Sequence, residues 1–240
     1  MRILTVNVNT TQSMTDSIAE AARAVVEPGV EIVGLTPRFG APSCEGNMES
    51  YLAAVGAMDA VASYDQPFDA VIQAGFGEHG REGLQEMLDQ PVVDITEAAA
   101  AMATFVGRSY SVVTTLDRTV PLIEDRLQLA GLMERCASVR ASNTSVLDLE
   151  ADEGAAIRSI VAEARRAIDE DRAEVIVLGC GGMAALEQAV REQCGVPVVD
   201  GVAAAVTVAQ SLVRLGLKTS KSRTYATPLP KDLKGFPFAG

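Results

Sequence analysis

The 240-residue chain has no tryptophan, a single histidine and only 4% aromatic residues. Its core must therefore be filled by aliphatic side chains, and the 48% apolar content is dominated by Ala and Val. That mixture suits short buried parallel strands flanked by Ala-rich helices. Positive charge is also scarce: 20 Lys and Arg against 32 Asp and Glu leave a net charge of −12. Nucleic acids and anionic membrane surfaces both require basic patches, so neither is an expected partner. No apolar run approaches the roughly 20 residues needed to span a bilayer. The opening MRILTVNVNT reads as a strand and not as a signal segment, which makes the cytoplasm the expected location. The four cysteines, Cys44, Cys136, Cys180 and Cys194, include no CxxC pair, and with His79 as the one imidazole a zinc centre is excluded. No turn matches a dinucleotide fingerprint or a P-loop, so a nucleotide cofactor is unsupported.

What is present is a regular alternation of strand and helix. Strands are predicted over 2–7, 30–35, 68–74, 91–93, 109–114, 137–139 (weaker), 174–178 and 196–199. Helices are predicted over 10–26, 46–63, 80–88, 97–106, 121–130, 152–168, 182–191 and 202–214. Strands separated by helices of this length indicate βαβ units and parallel sheets. One unit occurs twice, as VIQAGFGEHGREGLQEMLDQPVVD from Val71 and as IVLGCGGMAALEQAVREQCGVPVVD from Ile176. Each copy has an apolar strand, a Gly-rich turn, a helix and the tetrapeptide Pro-Val-Val-Asp. The repeat implies two similar α/β lobes, the first formed by 1–95 plus 205–225 and the second by 96–204. Residues 226–240, within a Lys- and Pro-containing tail, read either as an extended arm or as plain disorder.

Ligands of open α/β sheets bind outside the carboxyl ends of the strands. Superposing the repeated strands sets Gly75 opposite Cys180. Cys180 stands at a strand end just before a helix, a position expected to lower a thiol pKa towards neutrality and make it a base or nucleophile. The plainer reading is a small buried hydrophobe. Glu78 and His79 occupy the turn opposite. Either supplies a second acid/base, or Glu78 merely favours the helix start while His79 is solvated. Arg81 reads as a solvated first-turn residue or, less simply, a carboxylate holder. Gly75, Phe76, Gly77, Gly181 and Gly182 let backbone approach a ligand, and Asn9, Thr10, Thr114 and Thr115, like Asn7 and Thr11, are candidate hydrogen-bond partners for a small polar substrate. Cys44, Cys136 and Cys194 read as structural.

At these residues the chain resembles the Asp/Glu/hydantoin racemase superfamily, and within it the hydantoin and allantoin racemases. The likeness is carried by RILTVNVNTT, Glu45-Gly46, PVVDITEAA, LGCGGM around Cys180, GVPVVD and SLVRLGLKTSKS. It implies an α/β fold of two flavodoxin-like lobes with parallel sheets related by a pseudo-twofold axis, a homo-oligomer, and cofactor-independent proton transfer at a small molecule's acidic carbon. It also implies one cysteine per lobe on opposite faces of that carbon. Cys180 matches the second-lobe cysteine, but the first-lobe position is Gly75, so the two-thiol scheme does not carry over intact. Three readings follow: a racemase or epimerase with His79 or Glu78 on the other face, a one-base decarboxylase or lyase of the arylmalonate decarboxylase type, or a non-catalytic ligand-binding relative.

Overall fold

The computed structural model describes residues 1–235, whose eight strands form two four-stranded parallel sheets. The first contains β1 (Arg2–Val6), β2 (Glu31–Leu35), β3 (Ala70–Gln73) and β4 (Val92–Asp94), in the order β2-β1-β3-β4. The second contains β5 (Tyr110–Thr114), β6 (Cys136–Ala141), β7 (Val175–Leu178) and β8 (Val198–Asp200), in the order β6-β5-β7-β8. The helices are α1 (Gln12–Arg23), α2 (Asn47–Ala62), α3 (Arg81–Met87), α4 (Ile95–Val106), α5 (Val120–Leu129), α6 (Asp148–Ala151), α7 (Glu153–Asp171), α8 (Glu187–Cys194) and α9 (Gly201–Arg214). The central strands are covered on both faces. Every residue of β3, β5 and β7 is buried, which is why they read as continuous apolar runs rather than alternating ones.

The two lobes are joined by exchange of helices. Helix α4 follows the first sheet but packs on β7, β8 and α5, while α9 follows the second sheet and packs on β3, β4 and α1. The two helices also pack on each other, through buried Ala98, Ala99 and Ala103 on α4 and Ala204, Ala205 and Ala209 on α9. Such short side chains let helix axes approach closely. Their first residues touch: a Cβ on Gly201 would lie 2.9 Å from the Ile95 carbonyl oxygen. One apolar core therefore runs through both lobes, from Ile3, Ile72 and Ala74 to Tyr110, Val112 and Val177. At roughly 1.5–3 kcal/mol per fully buried aliphatic side chain, this shared core fixes the lobes against each other.

The repeated tetrapeptide has the same task in each lobe. Its two valines belong to β4 or β8, and its aspartate caps the exchanged helix. Asp94 Oδ1 accepts from the Glu97 N–H at 2.8 Å, and Asp200 Oδ2 accepts from the Ala203 N–H at 2.7 Å. The predicted helix over 182–191 starts differently: Gly181–Leu186 winds as 3-10 turns and only Glu187–Cys194 is α-helical. The weak strand is longer than predicted, and α6 adds a turn of helix that the sequence did not signal. In the tail, Thr219 Oγ1 donates to Gln90 O, and Lys221 Nζ donates to Gln85 O and Glu86 O in the last turn of α3. Residues 236–240 of the predicted arm, including Pro237, lie outside the described residues.

Candidate active site

The carboxyl ends of β1 and β3 meet those of β5 and β7 around a small cavity of about 40 Å³. That is room for a few waters rather than a substrate ring, so the cleft is narrow. Loops from both lobes cover it, and the Val146 N–H donates to Glu45 Oε1 at 3.1 Å across the gap. Of the residues singled out by sequence, Asn9, Gly75, Phe76, His79, Thr114, Thr115, Cys180, Gly181 and Gly182 all line this cavity.

Cys180 precedes the 3-10 turn, and its thiol faces the N–H groups of Gly182 and Met183. These donors favour a thiolate, as the sequence led one to expect. Desolvation in the narrow cleft outweighs them, and the nearby charges of Glu45 and Asp200 act in the same direction as desolvation. The pKa is pushed up to about 11 instead of down to neutrality. At rest Cys180 is a thiol, hence a proton donor, and as a thiolate it is a strong base.

The first-lobe wall is built around His79. Buried Gln73, the last residue of β3, donates through Nε2 to the His79 carbonyl at 2.8 Å and holds the turn. The imidazole is itself buried rather than solvated, and desolvation holds it neutral, with a pKa of about 4. It covers the glycine that stands opposite Cys180. A Cβ on Gly75 would fall 2.5 Å from His79 Cδ2 and closer still to Val8. The volume of a first-lobe thiol is thus occupied by imidazole and valine. His79 Nδ1 lies 3.0 Å from Ser50 Oγ and 3.6 Å from Cys44 Sγ, and Nε2 lies 3.4 Å from the Phe76 carbonyl.

Polar groups of β1 and β5 complete the wall. The Asn7 amide donates to Asn9 Oδ1 at 2.9 Å and to Thr15 Oγ1 at 3.1 Å, locking the first turn. Asn9 Nδ2 donates only towards Met14 Sδ at 3.4 Å, a weak acceptor, so a substrate carbonyl could readily replace the sulfur. Thr114 Oγ1 donates to Gly179 O at 3.0 Å and ties β5 to the cysteine turn.

Four other sequence assignments need correction. Glu78 points away from the cavity, accepting from the Gly80 N–H at 2.8 Å and from Arg126 Nη1 at 3.0 Å. Glu78 and His79 are neighbours, yet only His79 reaches the cleft. Arg81 is neither solvated nor near the cavity; it pairs with Glu97 at 2.5 Å and Glu82 at 3.1 Å in the same buried ionic cluster. Thr10 bonds backward, its hydroxyl donating to Ala41 O at 3.2 Å. Gly77, at φ +125°, turns its N–H to Thr96 Oγ1 at 2.8 Å. The sequence reading also missed cavity residues: Cys44, Thr119, Met14 and Val146 all line the site. Cys44 had no local signal, because its loop carries no periodicity and its role depends on what the loop folds against. Among the described residues, no three His, Cys, Asp or Glu side chains form a metal-holding group, and no helix is long and apolar enough to cross a membrane.

Residues 3–209 match the family described as Asp/Glu/Hydantoin racemase. The chain is 39% identical to a hydantoin racemase of Paenarthrobacter aurescens over 97% of its own length and 99% of the relative's. It is 72% identical to a crystal structure of allantoin racemase from Pseudomonas fluorescens, which it covers completely using 98% of its own residues, with a TM-score of 0.97. Unliganded arylmalonate decarboxylase, at 18% identity and a TM-score of 0.58 over 88% of this chain and 92% of that one, shares the fold alone.

Proposed function

Because this chain belongs to the Asp/Glu/hydantoin racemase family, we propose that it racemises a hydantoin-type ring, allantoin or a 5-substituted hydantoin, by proton transfer without a cofactor. The observation that carries the reading is one small cavity with Cys180 in the second-lobe wall and the His79 corner of the first lobe in the other. The ring carbon to be inverted sits beside a carbonyl, so loss of its proton gives an enolate. The Cys180 thiolate takes that proton on one face, and its thiol returns one in the reverse direction. The His79 corner serves the opposite face. Asn9 Nδ2, freed from the Met14 sulfur, and the Thr115 hydroxyl hold the enolate oxygen. The narrow cleft leaves little room for water, which strengthens these bonds and keeps solvent from quenching the carbanion.

A second reading has support in Gly75, whose lack of a thiol suits chemistry on one face, as in a decarboxylase. Homo-oligomerisation accords with exposed Met48, Tyr51 and Leu52 along one side of α2. The test is to incubate single enantiomers of allantoin and of several 5-substituted hydantoins with protein in deuterated buffer. NMR would follow deuterium entry, and circular dichroism the loss of optical activity. Deuterium entry with racemisation, both lost in Cys180→Ala, is the expected result. Exchange with retained configuration would establish one-base chemistry, and no exchange on any of these rings would overturn the racemase reading.

A further inference from the structure

The racemase reading leaves one chemical question: which atom exchanges a proton with the face that Gly75 leaves without a thiol. We propose that it is Sγ of Cys44, with His79 and Ser50 as positioning residues, an inference that rests on the racemase reading above. Cys44 arrives from the loop before α2 and lines the same cavity as Cys180, but from the first lobe. Glu45, the residue after Cys44, accepts from the Val146 N–H across the cleft at 3.1 Å, and Val146 lines the cavity together with both thiols. No group at residue 75 competes for the role, since Val8 and the His79 ring already fill the space of a Cβ there. The first-lobe thiol has in effect moved to the other side of the imidazole.

The hydrogen bonds around His79 show what the ring does. The single Ser50 hydroxyl proton goes to the Glu78 carbonyl through a short bond, so Ser50 offers only lone pairs to the imidazole. The proton of the neutral ring is therefore on Nδ1, donated to Ser50 Oγ at 3.0 Å. Cys44 Sγ lies 3.6 Å from that same nitrogen. A thiolate at Cys44 accordingly meets an N–H that it shares with Ser50 Oγ, and the bare nitrogen of that tautomer, Nε2, is turned to the Phe76 carbonyl at 3.4 Å. Desolvation raises Cys44 to about 12, so it rests as a thiol and is a donor first.

The step balances without any outside reactant. The cycle runs in the enzyme form that has released one proton to solvent, leaving a single proton on the two thiols. Its Cys180 thiolate takes the proton from the ring carbon: an S–H bond forms and the C–H electron pair enters the enolate. The S–H bond of Cys44 then breaks, its proton joins the opposite face of the carbon, and the remaining thiolate is held by the Nδ1–H of His79. The other enantiomer runs the exchange in reverse, with Cys44 as base and Cys180 as donor.

The test compares wild type, Cys44→Ala and Cys44→Ser, each checked for unchanged thermal melting, on both enantiomers of the best ring found in the deuterium assay. Cys44→Ala is expected to cut kcat for racemisation by about 100-fold or more with KM nearly unchanged. Exchange at the Cys180 face should continue with configuration retained, so that one enantiomer takes up deuterium without inverting. Cys44→Ser should lie between the two, since the weaker acid fits the same place. Racemisation within about threefold of wild type in both folded variants, or loss through KM alone, would overturn the assignment of Cys44 while leaving the racemase reading intact. If wild type is inert on every ring, the racemase reading fails and the role of Cys44 falls with it.

Discussion

The two lobes are one backbone pattern carrying two chemistries, and the differences fall at a few matched positions. Strands β3 and β7 occupy the same place in their sheets, but the first ends in Gln73-Ala74-Gly75 and the second in Leu178-Gly179-Cys180. Gln73 uses its amide to hold the His79 turn, and His79 fills the space over Gly75. Leu178 packs in the core, and the thiol stands directly at the turn. The helix caps diverge in the same way. The second oxygen of Asp94 faces Arg81 at 3.6 Å and Arg126 at 3.8 Å, the latter reaching in from α5 of the other lobe. Neither that oxygen nor the matching one of Asp200 has a hydrogen-bond partner, but among the described residues no cation pairs with Asp200. A duplicated frame thus fixes where groups stand, while side-chain volume and charge at each place decide what they do.

The comparison can be broken in four places. Cys180→Ala removes the thiol at the second-lobe turn and is expected to lower racemisation at least 1,000-fold, read as the rate of loss of optical activity. A residual rate near wild type would erase the chemical asymmetry of the lobes. Arg126→Leu removes one of two cations at the lobe junction, leaving Arg81 to face Glu82, Asp94 and Glu97 and leaving Glu78 without its partner. Losing half of the positive charge beside buried Asp94 is expected to cost about 2–3 kcal/mol, or a fall in Tm of roughly 5–10 °C by calorimetry. An unchanged Tm would mean that the cluster does not join the lobes.

Asp200 tests the lobe without such a cation. Burial raises its pKa from 3.8 to about 6, so between those values the folded protein keeps a proton that the unfolded chain has released. Stability from this carboxyl is full below pH 4, falls by up to about 3 kcal/mol as pH rises to 6, and is flat above. His79, held down at about 4, contributes a slope of opposite sign over much of the same range, so the readout is the stability difference between wild type and Asp200→Asn, which can still cap α9. In urea titrations that difference should fall by up to about 3 kcal/mol between pH 4 and 7, and a difference independent of pH would mean that Asp200 does not titrate there. Finally, Gly75→Cys should cost about 1–3 kcal/mol and bring no gain in racemisation, because its Cβ meets Val8 and His79. A stable, faster variant would show that the His79 corner yields easily and that the lobes are closer to chemical symmetry than their packing implies.

Much of the fold was legible because its signals are local. Buried parallel strands read as apolar runs, the Asp caps stand at fixed offsets before the exchanged helices, and the duplicated unit announced two sheets. Cys180 was legible as a thiol at a strand end. The direction of its pKa was not, since the turn N–H groups lie within three residues whereas the desolvation that outweighs them comes from both lobes. Glu78 and His79 were inseparable in sequence. Gly77 at φ +125° sends the chain through a turn after which one side chain meets Arg126 and the other meets Ser50 and Cys44. Cys44 gave no sign at all, because nothing in a Pro- and Gly-rich loop says which wall it will cover.

By itself, then, the sequence determined the two-lobed α/β frame, the strand-end turns and the presence of one thiol at the second of them. These depend on period, capping and chain order, each set within a few residues. The tertiary structure decided that the cleft narrows around that thiol, that imidazole and valine replace a side chain at Gly75, and that a second thiol, 31 residues earlier in the chain, reaches the same cavity. Those outcomes depend on volume and desolvation shared between segments far apart in the chain, and exist only once both lobes have packed.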